Sequence, residues 1–190
     1  MNIESEKINL RKKFKAIRRQ DSNDKDEIVL SNVLITLKKL FPKPKKQAFI
    51  GIYWPINTET DLRPLKKLKE YTIALPASTN KKELNYYHWS DNCLKKDVNG
   101  IPAPLNNKPL KPEELDLLLV PALAIDKKGY RLGYGGGYFD RLRSNPNWRK
   151  VKAILVINES CISLNDLPRN EWDIPFDGWI SEKGFHQSKT

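Results

Sequence analysis

The ten residues DLLLVPALAI, 116–125, constrain the fold more than any other part of the chain. A run this short cannot cross a bilayer, which takes roughly 20 apolar residues. It offers no polar side to solvent either. A strand that is apolar on both faces needs a layer of other elements over each, the situation of the middle strand in a parallel sheet. The rest of the chain supplies candidates for those layers.

Residues 3–19, IESEKINLRKKFKAIRR, place Ile3, Leu10, Phe14 and Ile17 on one stripe of a helix whose other faces are strongly basic. Ser22 with Asp24, Asp26 and Glu27 marks the start of a second helix, which carries Ile28, Val33, Leu34, Leu37 and Leu40 and closes at Pro42 and Pro44. QAFIGIYW, 47–54, is a short β-rich run that stops at Pro55. LRPLKKLKEY predicts a helix with Leu62, Leu65 and Leu68, TIALP a strand, and LNYYHW a third strand. Residues 90–114, with four prolines, predict a long loop of the kind that is often functional. GGYFDRLRS opens a helix, VKAILVI is a further buried strand, and DGWISE is the last one. Strands alternating with helices predict a single three-layer α/β/α domain over residues 1–190, with a mostly parallel central sheet.

The chain has 34 Lys and Arg against 23 Asp and Glu, a net charge of +11. Such a balance draws polyanions, nucleic acid and nucleoside triphosphates alike, so charge does not choose between them. Cys93 and Cys161 stand far apart without histidines at ligand spacing, which supports neither a disulfide framework nor a zinc site. His88 and His186 have no evident partner. The N-terminus lacks the apolar core of a signal peptide, and a soluble, cytoplasmic protein is expected.

Five of the nine glycines fall between Gly129 and Gly137, directly after the apolar segment, in KKGYRLGYGGGYFDRLR. Successive backbone N–H groups at a helix start bind phosphate well, and side chains there would block the approach. The spacing is neither that of a P-loop nor that of a dinucleotide fold. Asp140, one turn into the predicted helix, is placed to reach a Mg²⁺ bridging the phosphates, with Arg131 and Arg141 adding positive charge.

The segment DLLLVPALAIDKKGYRLGYGGGYFDRL resembles the signature of the 5-formyltetrahydrofolate cyclo-ligase family. The resemblance extends to KINLRKKF, YWPINTETDLRPL, NGIPAP and PFDGWI, nearly the whole chain. It implies an enzyme that uses ATP and Mg²⁺ to close 5-formyltetrahydrofolate to 5,10-methenyltetrahydrofolate, by alignment and charge stabilisation and without a catalytic nucleophile. It implies ATP contacts from Lys7, Arg11, Arg131, Leu132, Gly133, Tyr134, Gly135, Gly136, Gly137, Tyr138 and Phe139. Trp54, Glu59 and Tyr134 to Tyr138 would touch the folate, and Asp140 and Asp177 would hold the metal. A monomer, with no membrane or nucleic-acid partner, is expected. Ala103, Ala122, Ile125 and Phe139 depart from the family's usual residues. Two rival readings remain: a basic nucleic-acid-binding module, and the same fold acting on another phosphate-bearing substrate.

Overall fold

A computed structural model describes residues 2–20, 24–42, 47–56, 58–90 and 93–189. Its frame is a seven-stranded sheet. The first three strands are β1 (Ala48–Gly51), β2 (Tyr71–Ser78) and β3 (Leu84–His88), followed by the short β4 (Lys95–Lys96) and β5 (Pro102–Ala103). Then come β6 (Leu117–Pro121), β7 (Ala124–Asp126), β8 (Arg131–Leu132), β9 (Ala153–Val156) and β10 (Ile162–Ser163). β11 (Gly178–Ser181) and β12 (Gly184–Gln187) complete the set. The sheet runs β12-β11-β9-β6-β1-β2-β3, with five parallel strands in the middle and an antiparallel strand at each edge.

Alternation along β6 explains the layers. Leu117 and Leu119 face one way, packing with Ile50, Ile154 and Val156 under Val29, Val33 and Leu37 of α2 (Asp24–Leu40). Leu118 and Val120 face the other way, joining Leu155, Phe14 of α1 (Ile3–Gln20) and Leu142 of α3 (Tyr138–Ser144). Trp148 of α4 (Pro146–Lys150) packs on that second cluster. All four β6 side chains are inaccessible to solvent. Each such burial contributes about 1.5–3 kcal/mol, so a strand apolar on both sides is stable only between two layers.

Four expectations need correction. The apolar run breaks after Pro121, and residues 124–126 leave the main sheet to pair with β8 and β10 in a second, three-stranded sheet. The glycine loop therefore leaves β8, after a hairpin, and not the central strand itself. The helix expected over 62–71 is only a tight turn at Arg63–Lys67, with Pro64 in its first turn and Leu68 already extended. Pro64 has no N–H to give to a longer helix, and the chain must be extended again by Leu68 to enter β2 at Tyr71. In α1 Leu10, Phe14 and Ile17 of the expected stripe pack on the core, but Ile3 is 40% exposed and the buried face takes in Lys7 and Arg18 instead. Ser22 and Pro44, expected at the two ends of the second helix, lie outside the described residues.

Candidate functional site

Where the parallel strands end, the chain encloses a cavity of about 400 Å³. Tyr53 and Trp54 extend from β1, Pro76 and Ser78 close β2, Pro121 closes β6, and Gly133 to Phe139 cross the opening. Its walls are largely aromatic, with Tyr53, Trp54, Tyr134, Tyr138 and Phe139 contributing rings. The Trp54 ring is backed by the Arg63 guanidinium, 4.8 Å from its centroid, a cation–π contact that fixes a flat face. The loop expected over 90–114 folds back as the β4–β5 hairpin, bringing Asp97, Asn99 and Ile101 to the rim. Asn99 Nδ2 donates to the Tyr138 hydroxyl at 2.8 Å.

The most deeply buried carboxyl of this space is Glu59. Glu59 is 6% exposed; its Oε2 accepts from the Ile56 N–H at 2.9 Å, and its Oε1 is buried with no hydrogen bond of good geometry among the described residues, although the Tyr134 hydroxyl lies close enough to lower its pKa. Burial pushes its carboxyl up to about 7, against the lowering influence of the Ile56 N–H and of Arg18, Tyr134 and Arg131. An acceptor withdrawn from water and left open on one side fits a ligand that brings its own N–H donors.

On the other side of the glycine loop is a basic cleft of about 310 Å³. Gly135 at φ +108° and Gly137 at φ +65° turn the chain through conformations that side-chain-bearing residues rarely adopt, and α3 begins at Tyr138. Arg11 Nε donates to the Gly133 carbonyl at 3.1 Å and so ties α1 to the loop. Arg131 forks onto one oxygen of Asp140, Nε at 3.1 Å and Nη2 at 2.9 Å, while its Nη1 holds the Pro121 carbonyl. Burial pushes the Asp140 carboxyl up, but Arg131, with Lys7 and Arg141, outweighs it and holds the group below the usual carboxylate range. Lys7 Nζ lies 2.9 Å from Oδ2 of Asp173, which also accepts the Asn170 N–H.

Of the residues expected at the site, Lys7, Arg11, Arg131, Leu132, Gly133, Gly135, Gly137 and Asp140 border this cleft. Trp54, Glu59, Tyr134, Gly136, Tyr138 and Phe139 border the apolar cavity, and Arg131, Gly133 and Gly137 border both. The Leu132 side chain belongs to the core.

Asp177 is not brought to either space. It precedes β11, at the opposite end of the parallel strands, where its Oδ2 accepts the Ala153 N–H at 2.7 Å and its own N–H returns to the Ala153 carbonyl. The carboxylates that do border the cleft beside Asp140 are Glu4, which pairs with Arg11, and Asp173, four residues before Asp177. The sequence EWDIPFDGW contains both, and no spacing rule ranks them. Arg18 also escaped notice, because a basic helix hides an inward-facing arginine among outward-facing ones. Each of Asp140 and Asp173 has one oxygen that accepts no hydrogen bond among the described residues. Two hard oxygen donors with open valences beside a basic cleft fit Mg²⁺.

An aromatic cavity with one open carboxylate, sharing a glycine loop with a basic cleft, makes this an α/β protein with adjoining places for a flat ligand and an anionic one. The chain belongs to the 5-formyltetrahydrofolate cyclo-ligase family, whose model matches residues 3–182. It is 41% identical over 88 residues to the 5-formyltetrahydrofolate cyclo-ligase of Haemophilus influenzae, covering 45% of this chain and 46% of that one. With the Escherichia coli K12 protein of the same name it shares 41% over 67 residues, 35% of this chain and 36% of the other. The chain thus spans less than half the length of the curated relatives it matches. An NMR structure of Aquifex aeolicus 5,10-methenyltetrahydrofolate synthetase superimposes with a TM-score of 0.77 at 34% identity, over 97% of this chain and 93% of that one. The Mycoplasma pneumoniae 5,10-methenyltetrahydrofolate synthetase, at 22% identity and TM-score 0.72 over 93% of this chain and 98% of that one, shares the fold.

Proposed function

We propose that this chain, acting as one domain over residues 1–190 and as a cytoplasmic monomer, closes 5-formyltetrahydrofolate to 5,10-methenyltetrahydrofolate at the expense of ATP and releases ADP and phosphate. The observation that carries this reading is the shared loop: Gly133 to Phe139 separates an aromatic cavity from a basic cleft, so two substrates can meet across it.

The reaction needs this adjacency. An N5-formyl group is amide-like, and its oxygen leaves poorly. When that oxygen takes the γ-phosphoryl group, the carbon becomes an electrophile for N10, and phosphate departs as the ring closes. Little covalent work falls to the protein, whose task is alignment and charge stabilisation. Glu59 accepts the pterin's N–H donors through its open oxygen, and Trp54 lies against the flat ring. Lys7, Arg11 and Arg131, with the loop's backbone N–H groups, hold the phosphates. Asp140 and Asp173 would hold Mg²⁺, which when bound neutralises phosphate charge. Arg131 serves both partners, because it already orients Asp140.

Purified protein supplied with Mg²⁺, ATP and 5-formyltetrahydrofolate is expected to develop the product's methenyl absorbance. Asp140→Ala should abolish turnover with the circular dichroism spectrum unchanged. Wild-type protein that is folded and inert under these conditions would overturn the reading.

A further inference from the structure

Arg18 is 2% exposed, the deepest cation of α1, and it borders neither the apolar cavity nor the basic cleft. Among the described residues no carboxylate forms an ion pair with it. Its Nε donates to the Thr58 carbonyl at 3.0 Å, and its Nη1 to the Ala122 carbonyl at 2.6 Å and the Tyr134 hydroxyl at 3.4 Å. Its Nη2 is buried with no hydrogen-bond partner among the described residues.

One of the three acceptors, Tyr134, lines the aromatic cavity, and the other two, Thr58 and Ala122, directly adjoin the lining residues Glu59 and Pro121. Thr58 is the residue before Glu59, Ala122 follows the end of β6, and Tyr134 sits in the glycine loop. Taking a guanidinium out of water without an ion-pair partner is expensive, and two carbonyls and a phenol offset only part of that cost. A hydrophobic residue would fill the same place more cheaply, so a structural role alone does not account for the charge. The group that gains from it is Glu59, the buried carboxylate immediately beyond Thr58.

We propose that Arg18 is a positioning residue for Glu59: its fork fixes the Thr58–Glu59 segment against the glycine loop, and its charge keeps the carboxylate an acceptor. The identity of the donors that Glu59 receives rests on the folate reading above. The groups that face Glu59 are few. Arg18 approaches from α1, Arg131 and Tyr134 from the glycine-loop side, Tyr53 from the end of β1, and the Ile56 N–H from its own segment. Lys15 of α1 stays outside, with its Nζ 5.9 Å from the centre of the Tyr134 ring. Of the two guanidiniums, Arg131 is already committed to Asp140, which leaves Arg18 as the cation dedicated to Glu59. Opposite charge at close range favours the ionised carboxyl, so removing Arg18 raises the pH at which Glu59 gives up its proton.

The test has a readout that does not depend on turnover. In ligand-free protein with ¹³C-labelled glutamate, the Glu59 carboxyl is titrated by NMR in wild type, Arg18→Gln and Arg18→Lys. Arg18→Gln keeps a donor for one carbonyl but no charge, and its midpoint should rise by about one pH unit or more. Arg18→Lys should stay near wild type. In turnover, the acidic limb of kcat/KM for 5-formyltetrahydrofolate should move up with the same midpoint in Arg18→Gln. At pH 7 a one-unit rise lowers kcat/KM about fivefold, carried by KM for the folate, with kcat less affected. A folded Arg18→Gln variant with an unmoved Glu59 midpoint overturns the proposal, whether or not the chain acts on folate. If Arg18→Gln does not fold, an Arg18→Lys midpoint that rises a full unit overturns it instead. Failure of the cyclo-ligase reading shows differently, as wild-type protein that titrates as described and does not turn over.

Discussion

Replacing Glu59 by glutamine should stabilise the protein while stopping its chemistry, and pH separates the two effects. The Glu59 carboxyl is raised from 4.5 to about 7 because folding takes it out of water and leaves one oxygen unpaired. A group raised in the folded state favours folding fully below its unfolded value, and that contribution is lost as pH climbs through the folded one. A rise of this size amounts to about 3 kcal/mol, of which 2 to 3 kcal/mol is lost between pH 5 and pH 8. Glutamine keeps the shape and the acceptor for the Ile56 N–H and cannot ionise. Its amide adds a buried donor, but the cost of that donor does not change with pH, so the difference between two pH values isolates the charge. Urea unfolding of wild type and Glu59→Gln at pH 5 and pH 8 is the assay. With a slope of about 2 kcal/mol per molar urea, the variant's midpoint should gain on wild type by about 1 M between the two. Parallel midpoints at both pH values would refute the reasoning, since they would mean that Glu59 titrates in the fold as it does in water. Folate turnover in the variant should be lost at both.

Exchanging the two aspartates of EWDIPFDGW discriminates the cleft from the opposite end of the sheet. Asp173→Ala should weaken Mg-ATP binding at least tenfold by calorimetry, whereas Asp177→Ala should leave it within twofold and cost about 1–2 kcal/mol of stability, because the Ala153 N–H loses its acceptor. Gly135→Ala places a side chain at φ +108°, a strain of about 1–3 kcal/mol that either lowers the melting temperature or reshapes the loop. In both cases KM for ATP should rise.

The layers were legible because DLLLVPALAI has one physical solution, a strand covered on two faces. The glycine loop was legible because bare main chain at a helix start has few uses. What escaped the sequence lay in the third dimension. Pro121 and the two residues after it divide one apolar run between two sheets, and composition does not mark the division. Asp173 and Asp177 have the same chemistry four residues apart, and only the direction of β11 separates cleft from far end. The helix expected over 62–71 shrank to a single tight turn because Pro64 lies in it and Leu68 is already extended toward β2, a demand that local periodicity does not record. Glu59, expected as a substrate contact, does line the cavity, yet its raised pKa depends on burial, which one isolated carboxylate in a sequence cannot disclose.

The same distinction settles how to read the net charge of +11. A nucleic-acid surface works by keeping its lysines and arginines in solvent, where they can release counterions from a polyphosphate chain. The cations that organise this molecule are withdrawn instead: Lys7 and Arg18 are buried, and the Arg131 side chain is 7% exposed. Withdrawal costs hydration free energy that is recovered only against fixed acceptors, here Asp173, the Thr58 and Ala122 carbonyls, and Asp140. Cations held this way serve fixed partners within the fold and not a solvent-exposed phosphate track. Two of these withdrawn cations, Lys7 and Arg18, come from α1 and the third, Arg131, from β8, so the outward lysines of α1 are the part of its charge left to act as a field on polyanions in solution.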